Sequence, residues 1–182
     1  MKTRLPLIAI IWMFSQILPS AFGVSPEAQA KIDEQFKICA AWAADPVIVE
    51  GVRAHNASVP AGQADLTQDK WQTLAALDPL VRSFEKNPVG QFLKSKKSEG
   101  VAEAFVSDAA GLKVGFLAKT TNWCHKGKPK HDVPMTGKNW QGPIELDESS
   151  GQRQIQISVP VLDGGKPIGS LVVGLNVTSL AH

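Results

Sequence analysis

The chain of 182 residues has no tyrosine and only two cysteines, and it lacks the sequence patterns of common catalytic sites. It contains no G-x-S-x-G elbow of an α/β-hydrolase, no H-E-x-x-H zinc site and no glycine-rich phosphate-binding loop. These absences exclude the enzyme classes that such patterns identify. We therefore expect a protein that is not an enzyme.

Neither sign of charge is in clear excess. The formal net charge is +2, and it falls to zero when Lys2 and Arg4 are left out. A protein that binds nucleic acid needs a surplus of lysine and arginine to neutralise phosphates. The balance of charge therefore excludes nucleic acid as a partner.

A hydrophobic run of membrane length is also missing. The longest run, Leu5–Leu18, is shorter than the roughly 20 residues that an α-helix needs to span a bilayer. Lys2 and Arg4 precede this run, and Ala21 and Gly23 follow it with small–x–small spacing. This order of segments is typical of a secretory signal peptide.

We predict that the signal peptide, residues 1–23, is cleaved after Gly23. The remaining residues, 24–182, have the length of one domain, which would be periplasmic or secreted. An uncleaved N-terminal anchor is the alternative.

The first part of the exported chain, residues 25–97, has the pattern of several helices. Five residues of the types that cap helices stand before a helical pattern, and proline follows four of them at the first helical position. These residues are Ser25, Asp45, Thr67, Asp78 and Asn87. We expect a loop over residues 56–66.

The second part, residues 101–177, has the pattern of strands and tight turns. Period-two alternation and turns rich in Asp and Gly predict antiparallel hairpins. The predicted strands include Val101–Val106, Leu112–Lys119, Gln152–Val161 and Ile168–Val177. Helices followed by strands predict an α+β fold, with an antiparallel sheet of about five strands and the helices packed on one side.

The third of these strands alternates most clearly. Because side chains of a strand point to opposite faces in turn, one set should form the core and the other should tolerate substitution. The predicted core set is Ile155, Ile157, Val159 and Val161. The predicted tolerant set includes Gln154 and Ser158.

Four segments of the chain follow a known order. They are Phe105–Gly111, an apolar strand ending in a D-x-x-G turn; Lys138-Asn139-Trp140; Asp147-Glu148-Ser149-Ser150 with the strand Gln154–Val161; and Asp163–Gly169. Together these segments resemble the Cache (PDC) family of extracytoplasmic sensor domains, over about residues 30–180.

The resemblance implies a PAS-like sheet with a long N-terminal helix and a small-molecule pocket. The pocket would lie between the sheet and the long loop after the first hairpin. The resemblance also implies signal transduction, in which a separate partner such as a membrane sensor kinase or chemoreceptor reads the occupancy of the pocket. The arginine- and tyrosine-based pattern of the amino-acid-binding double-Cache receptors is missing, so the identity of the ligand does not follow.

The long loop at residues 120–142 is the strongest candidate for a binding site, because loops of this length in compact domains are usually functional. Aromatic walls with cationic edges suit a small organic acid. The candidate ligand-binding residues are Trp123, His125, Lys138, Trp140 and Gln156. The alternative is a solvated charged loop whose tryptophans belong to the core.

A second hypothesis uses Cys124 and His125, whose order is similar to the C-x-x-C-H motif of covalent haem attachment. Thr121 occupies the place of the first cysteine, so one thioether at most would form. His131 is a candidate for the opposite axial ligand. In this reading the protein is a periplasmic redox or haem-binding protein. A metal site at Cys124, His125 and His131 has no standard zinc spacing.

The two cysteines are also candidates for a disulfide, since exported proteins form them readily. The pair would be Cys39–Cys124. The alternative is that Cys39, on the apolar face of the first helix, is a buried thiol.

Overall fold

The computed structural model describes residues 24–147 and 152–180, so the predicted signal peptide lies outside the described residues. The described residues form eight α-helices and five strands. The helices are α1 (Pro26–Ala43), α2 (Pro46–Ala57), α3 (Ala61–Ala64), α4 (Gln68–Thr73), α5 (Pro79–Lys86), α6 (Pro88–Ser95), α7 (Pro129–Asp132) and α8 (Val177–Leu180). The strands are β1 (Val101–Asp108), β2 (Lys113–Phe116), β3 (Trp140–Asp147), β4 (Gln152–Asp163) and β5 (Lys166–Asn176). In this part of the chain, no helix has both the length and the apolar composition that crossing a membrane requires.

The predicted helix starts are confirmed. The side chains of the five predicted caps each accept a hydrogen bond from a backbone N–H of the first turn. These bonds satisfy amide groups that have no partner within the helix. The predicted loop at residues 56–66 contains the short helix α3, which follows Pro60.

The five strands form one antiparallel sheet in the order β2-β1-β5-β4-β3, which confirms the predicted α+β fold. The strand β5 is central and pairs with β1 and β4 over most of its length. Three of the pairs, β1–β2, β3–β4 and β4–β5, join strands that are consecutive in the chain, and between β2 and β3 the chain crosses from one edge of the sheet to the other.

One face of the sheet packs against α1, α2 and α6. The predicted core set of β4, Ile155, Ile157, Val159 and Val161, lies on this face with at most 1% exposure. Its partners in the core include Ile32 of α1, Ile48 of α2 and Leu93 of α6. The assignment of this face is therefore confirmed.

The other face is buried as well, by α4, α5 and the segment between β2 and β3. This segment, residues 117–139, is here named the cover segment. Phe105, Val172 and Ser158 are register partners in one row of this face. Ser158 is fully buried, and its tolerance to substitution stays a prediction. On the second face of β4, Ser158 is buried, whereas Gln154, Gln156 and Pro160 are half-buried.

The turn between β1 and β2 holds the cover segment close to the sheet. Gly111 has a φ of 81°, and a Cβ atom there would lie 2.4 Å from the backbone nitrogen of Lys126. The carbonyl of Gly111 accepts a hydrogen bond from the backbone N–H of His125 at 2.8 Å. Position 111 requires glycine for two reasons: its backbone is left-handed, and a side chain there would collide with the backbone of Lys126. The turn thereby fixes the position of His125.

Candidate functional site

A cavity of about 310 Å³ lies between the second face of the sheet and the cover segment. It contains two of the five candidate residues, His125 and Gln156. Its walls are mostly polar, and it is here named the basic cavity. The lining residues are Ala102, Glu103, Leu117, Ala118, Lys119, Thr120, Thr121, Asn122, His125, Lys130, Gln154 and Gln156.

Helix α4 fixes the wall of the cavity that the cover segment provides. The indole Nε1 of Trp71 donates a hydrogen bond to the carbonyl of Thr120 at 2.7 Å. The side chain of Gln68 donates to the carbonyl of Thr121 and accepts from the backbone N–H of Trp123. Trp71 is fully buried, so this wall is attached to the core rather than to a surface loop.

Trp123 belongs to the core and does not line the basic cavity. Its side chain is 3% exposed, and its ring centroid lies 5.4 Å from that of Trp71 and 5.5 Å from that of Phe84. Edge-to-face and tilted contacts at these distances are typical of stable aromatic clusters. The structure thus places Trp123 as the anchor of the cover segment.

Lys138 and Trp140 also lie away from the cavity. Lys138 is exposed, and Trp140 is half-buried at the start of β3, opposite Ser158. Its ring lies over Gly142 of the same strand. The structure therefore does not bring these two residues together with His125.

Lys130 and Glu103, which were not among the five candidates, both contact Gln156 in the cavity. The Nζ of Lys130 donates a hydrogen bond to Oε1 of Gln156, and Nε2 of Gln156 donates to Oε2 of Glu103 at 2.7 Å. Burial lowers the pKa of Lys130, and the negative charges of Glu103 and Glu145 offset only part of that effect. Lys130 lies in a charge run, a pattern that is typical of a solvated surface.

A buried lysine stands behind His125. Lys113 of β2 is fully buried, and its Nζ lies 2.5 Å from Nδ1 of His125 and 3.3 Å from the centroid of the Phe105 ring. The Phe105 ring stacks on the imidazole at 4.7 Å between centroids. Burial holds the pKa of Lys113 well below its ordinary value. Burial and the neighbouring lysines also lower the pKa of His125, to about 2, so the imidazole is uncharged at neutral pH.

Both cysteines are free in the structure, and the sheet lies between them. Cys39 packs in the core under α1, whereas Cys124 packs beside the aromatic cluster on the other face. This arrangement corrects the hypothesis of a Cys39–Cys124 disulfide, because residues on opposite faces of a sheet cannot approach to bonding distance.

The histidines of the haem and metal hypotheses have protein partners. Nδ1 of His125 is bonded to Lys113, and Nδ1 of His131 lies 2.8 Å from Oγ of Ser170. Within residues 24–147 and 152–180, no group of three or more His, Cys, Asp or Glu side chains is arranged to hold a metal ion.

A second cavity, of about 400 Å³, lies on the helical side between α2 and α6. Its walls are mainly apolar, with Val47, Val89 and Val114 among them, and its polar edge is formed by His55 and Gln63. None of the candidate ligand-binding residues lines it.

Comparison with known proteins finds relatives by structure alone: no protein-family model and no curated protein matches the sequence. The sensor domain of the V. cholerae histidine kinase DctB is similar, with a TM-score of 0.52 and 16% identity over 85% of this chain and 52% of that chain. The sensor domain of E. coli DcuS has a TM-score of 0.50 and 12% identity over 86% of this chain and 96% of that chain. The ligand-binding domain of the Pseudomonas fluorescens chemoreceptor CtaA, in complex with L-valine, has a TM-score of 0.48 and 14% identity over 85% of this chain and 57% of that chain.

The chain thus spans about half the length of the DctB sensor domain and nearly all of that of DcuS. At such low identity the likeness shows the fold and not the ligand. The helices, the strand order and these two structures agree on one conclusion: the chain has the fold of the Cache sensor domains.

Proposed function

We propose that this protein is a non-catalytic, extracytoplasmic sensor module that binds a small organic anion in the basic cavity. Occupancy of the cavity would be read by a membrane sensor kinase or a chemoreceptor. The fold of the Cache sensor domains supports the sensor role, and the signal-peptide pattern of residues 1–23 supports export.

The observation that carries the proposal is the charge of the cavity wall. Two lysines, Lys119 and Lys130, line the cavity against a single acidic side chain, Glu103. The half-buried Lys130 forms no ion pair in the described part of the chain. A partly buried ammonium without a counter-ion favours an anion that can supply one.

The size of the cavity limits the ligand. Its volume of about 310 Å³ is at the lower end of the range for small-molecule sites. Asn122, Gln154 and Gln156 add neutral hydrogen-bonding groups to the wall. A short organic acid with one or two hydrogen-bonding substituents fits this combination of charge and size.

The test is a thermal-shift screen with acetate, lactate and succinate, each paired with its neutral amide. We expect at least one acid to raise the Tm of the wild type, and its amide to have no effect. Lys130→Met should abolish the shift, because it removes the ammonium that faces the acid. Lys138→Met is the matched control: this lysine is exposed and away from the cavity, so the shift should remain.

Two outcomes would contradict the proposal. One is an acid that shifts Lys130→Met as much as the wild type. The other is a shift by the amides alone. The hypothesis that Cys124 and His125 hold haem is separated from the sensor proposal by an absorbance spectrum of the protein expressed with export, since covalent haem would give a Soret band.

A further inference from the structure

We propose that Lys113 takes up a proton from solvent when an organic anion enters the basic cavity. The protein would then bind the anion more tightly as the pH falls. This inference rests on the proposed function. It concerns the coupling of anion binding to proton uptake by Lys113. An anion could bind in the basic cavity without this coupling.

The geometry of Lys113 is unusual for a lysine. Its amine is fully buried on the sheet, under the cover segment, with the Phe105 ring on one side and His125 on the other. None of the ion pairs in the described residues includes Lys113. Burial without a carboxylate partner therefore favours the neutral form of the Lys113 amine.

His125 connects the buried amine to the cavity. Its Nδ1 lies 2.5 Å from Nζ of Lys113, and the residue lines the basic cavity. A neutral imidazole has one donor and one acceptor nitrogen. When Nδ1 accepts from the Lys113 amine, Nε2 carries the proton and is the nitrogen that can donate to an anion.

The coupling between anion binding and proton uptake is electrostatic. One negative charge enters with the anion, and one positive charge is gained at Lys113. An anion that accepts a hydrogen bond from Nε2 of His125 places a negative charge one imidazole ring away from Lys113. In a poorly solvated interior this charge favours the ammonium form of Lys113. One proton from solvent then binds to Nζ, and no covalent bond is made or broken in the protein or the anion.

Other charged groups face the pair from neighbouring elements. Glu103 of β1 and Cys124 of the cover segment favour a charge on Lys113, and Lys130 of α7 opposes it. Lys128 and His131 lower the pKa of His125. Lys130 is the group whose own titration would most resemble that of Lys113, so the test must separate the two lysines.

The sign of the pH dependence follows from linkage. Because the anion raises the proton affinity of Lys113, binding is strongest below the pKa of the free protein. It weakens by up to about tenfold per pH unit above that value, and becomes constant again above the pKa of the complex.

The experiment is calorimetric titration of the purified protein with acetate, lactate and succinate. Each titration is run in two buffers of different ionisation enthalpy, between about pH 6 and pH 9.5. We expect uptake of up to one proton per anion bound and an affinity that falls as the pH rises. Lys113→Met should bind without proton uptake and with a flat pH profile. Lys130→Arg keeps its charge at every pH and should retain the wild-type uptake.

The outcomes distinguish this inference from the proposed function. Binding by the wild type without proton uptake overturns the inference alone. Uptake that persists in Lys113→Met and disappears in Lys130→Arg assigns the proton to Lys130, and also overturns it. Failure of all three acids to bind at any pH overturns both proposals. If Lys113→Met does not fold, Lys130→Arg still separates the two lysines: uptake that remains in this variant supports Lys113, and uptake that disappears assigns the proton to Lys130.

Discussion

Nδ1 of His55 lies 2.8 Å from Oδ2 of Asp108 in the interior of the protein, so a buried ion pair joins α2 to the end of β1. The Nε2 of the same ring lies 3.0 Å from Oε1 of Gln63, in α3. Burial alone would lower the pKa of His55, but the hydrogen bonds to Asp108 and Gln63 outweigh it and the pKa is raised. Both nitrogens face oxygen acceptors, which only the protonated ring satisfies.

We predict that His55→Gln lowers the free energy of unfolding most at acidic pH. A raised pKa contributes stability that is fully present below the unfolded-state value of about 6.5 and is lost as the pH rises through the folded-state value. Urea unfolding at about pH 5.5, 7 and 8.5 should therefore show a shrinking difference from the wild type. Asp163→Asn, which breaks the exposed pair with Arg53, is the control and should show a difference that does not follow this trend. A His55→Gln difference that grows with pH would contradict the prediction.

Asp108→Asn should be more harmful, because it leaves His55 without its counter-charge. Removing one partner of a buried pair costs about 3 to 5 kcal/mol. Oδ1 of Asp108 also accepts hydrogen bonds from the backbone of Ala110 and Leu112, so the turn is weakened as well. Chemical denaturation measures the loss, and a loss below about 1 kcal/mol would argue against the ion pair.

Gly111→Ala and Gly127→Ala form a matched pair. Both glycines have a φ of 81°, but a Cβ at Gly111 meets the backbone of Lys126, whereas a Cβ at Gly127 meets nothing within 4 Å. Left-handed strain should cost each variant about 1 to 2 kcal/mol. The clash should add roughly 1 to 3 kcal/mol at Gly111 alone. Equal Tm values for the two variants would show that the backbone of Lys126 is not in close contact with Gly111.

Ser158 and Ser170 offer a second comparison. Both are fully buried, but Oγ of Ser170 is bonded to His131, whereas Oγ of Ser158 has no hydrogen-bond partner in the described residues. Ser158→Ala should therefore be neutral or stabilising, and Ser170→Ala should cost about 1 kcal/mol. Thermal unfolding of the two variants gives the answer. The reverse order would mean that Ser158 has a partner.

Trp123→Ala should destabilise the protein by about 3 to 5 kcal/mol, the usual cost of removing a large core aromatic. Trp140→Ala should cost about 1 kcal/mol, because its ring is half-buried at the edge of the sheet. Urea midpoints compare the two. A larger loss for Trp140 would mean that the anchor of the cover segment has been misassigned.

The parts of the fold that depend on local chemistry could be predicted from the sequence. Capping residues with a following proline mark the starts of α1, α2, α5 and α6, because the cap and the fixed φ of proline act within one turn. The core face of β4 follows from its alternation in the same way.

The second buried face could not be predicted, because it depends on contacts between distant segments. The cover segment folds back over the sheet, and this contact buries Ser158 and Lys113. The one available signal was Lys113 itself, a lysine at the start of an otherwise apolar strand. The structure places Trp123 and Lys138 outside the basic cavity, and loop composition does not show which side chains turn inward.

The difference between the two free thiols has a practical consequence for labelling. Cys39 is 1% exposed and burial raises its pKa to about 12, so it will not react with a maleimide in the folded protein. Cys124 is only half-buried, and it precedes His125 at the basic cavity. A single fluorophore can therefore be attached to the natural sequence next to His125, without mutagenesis, and its emission would test the proposed entry of an anion.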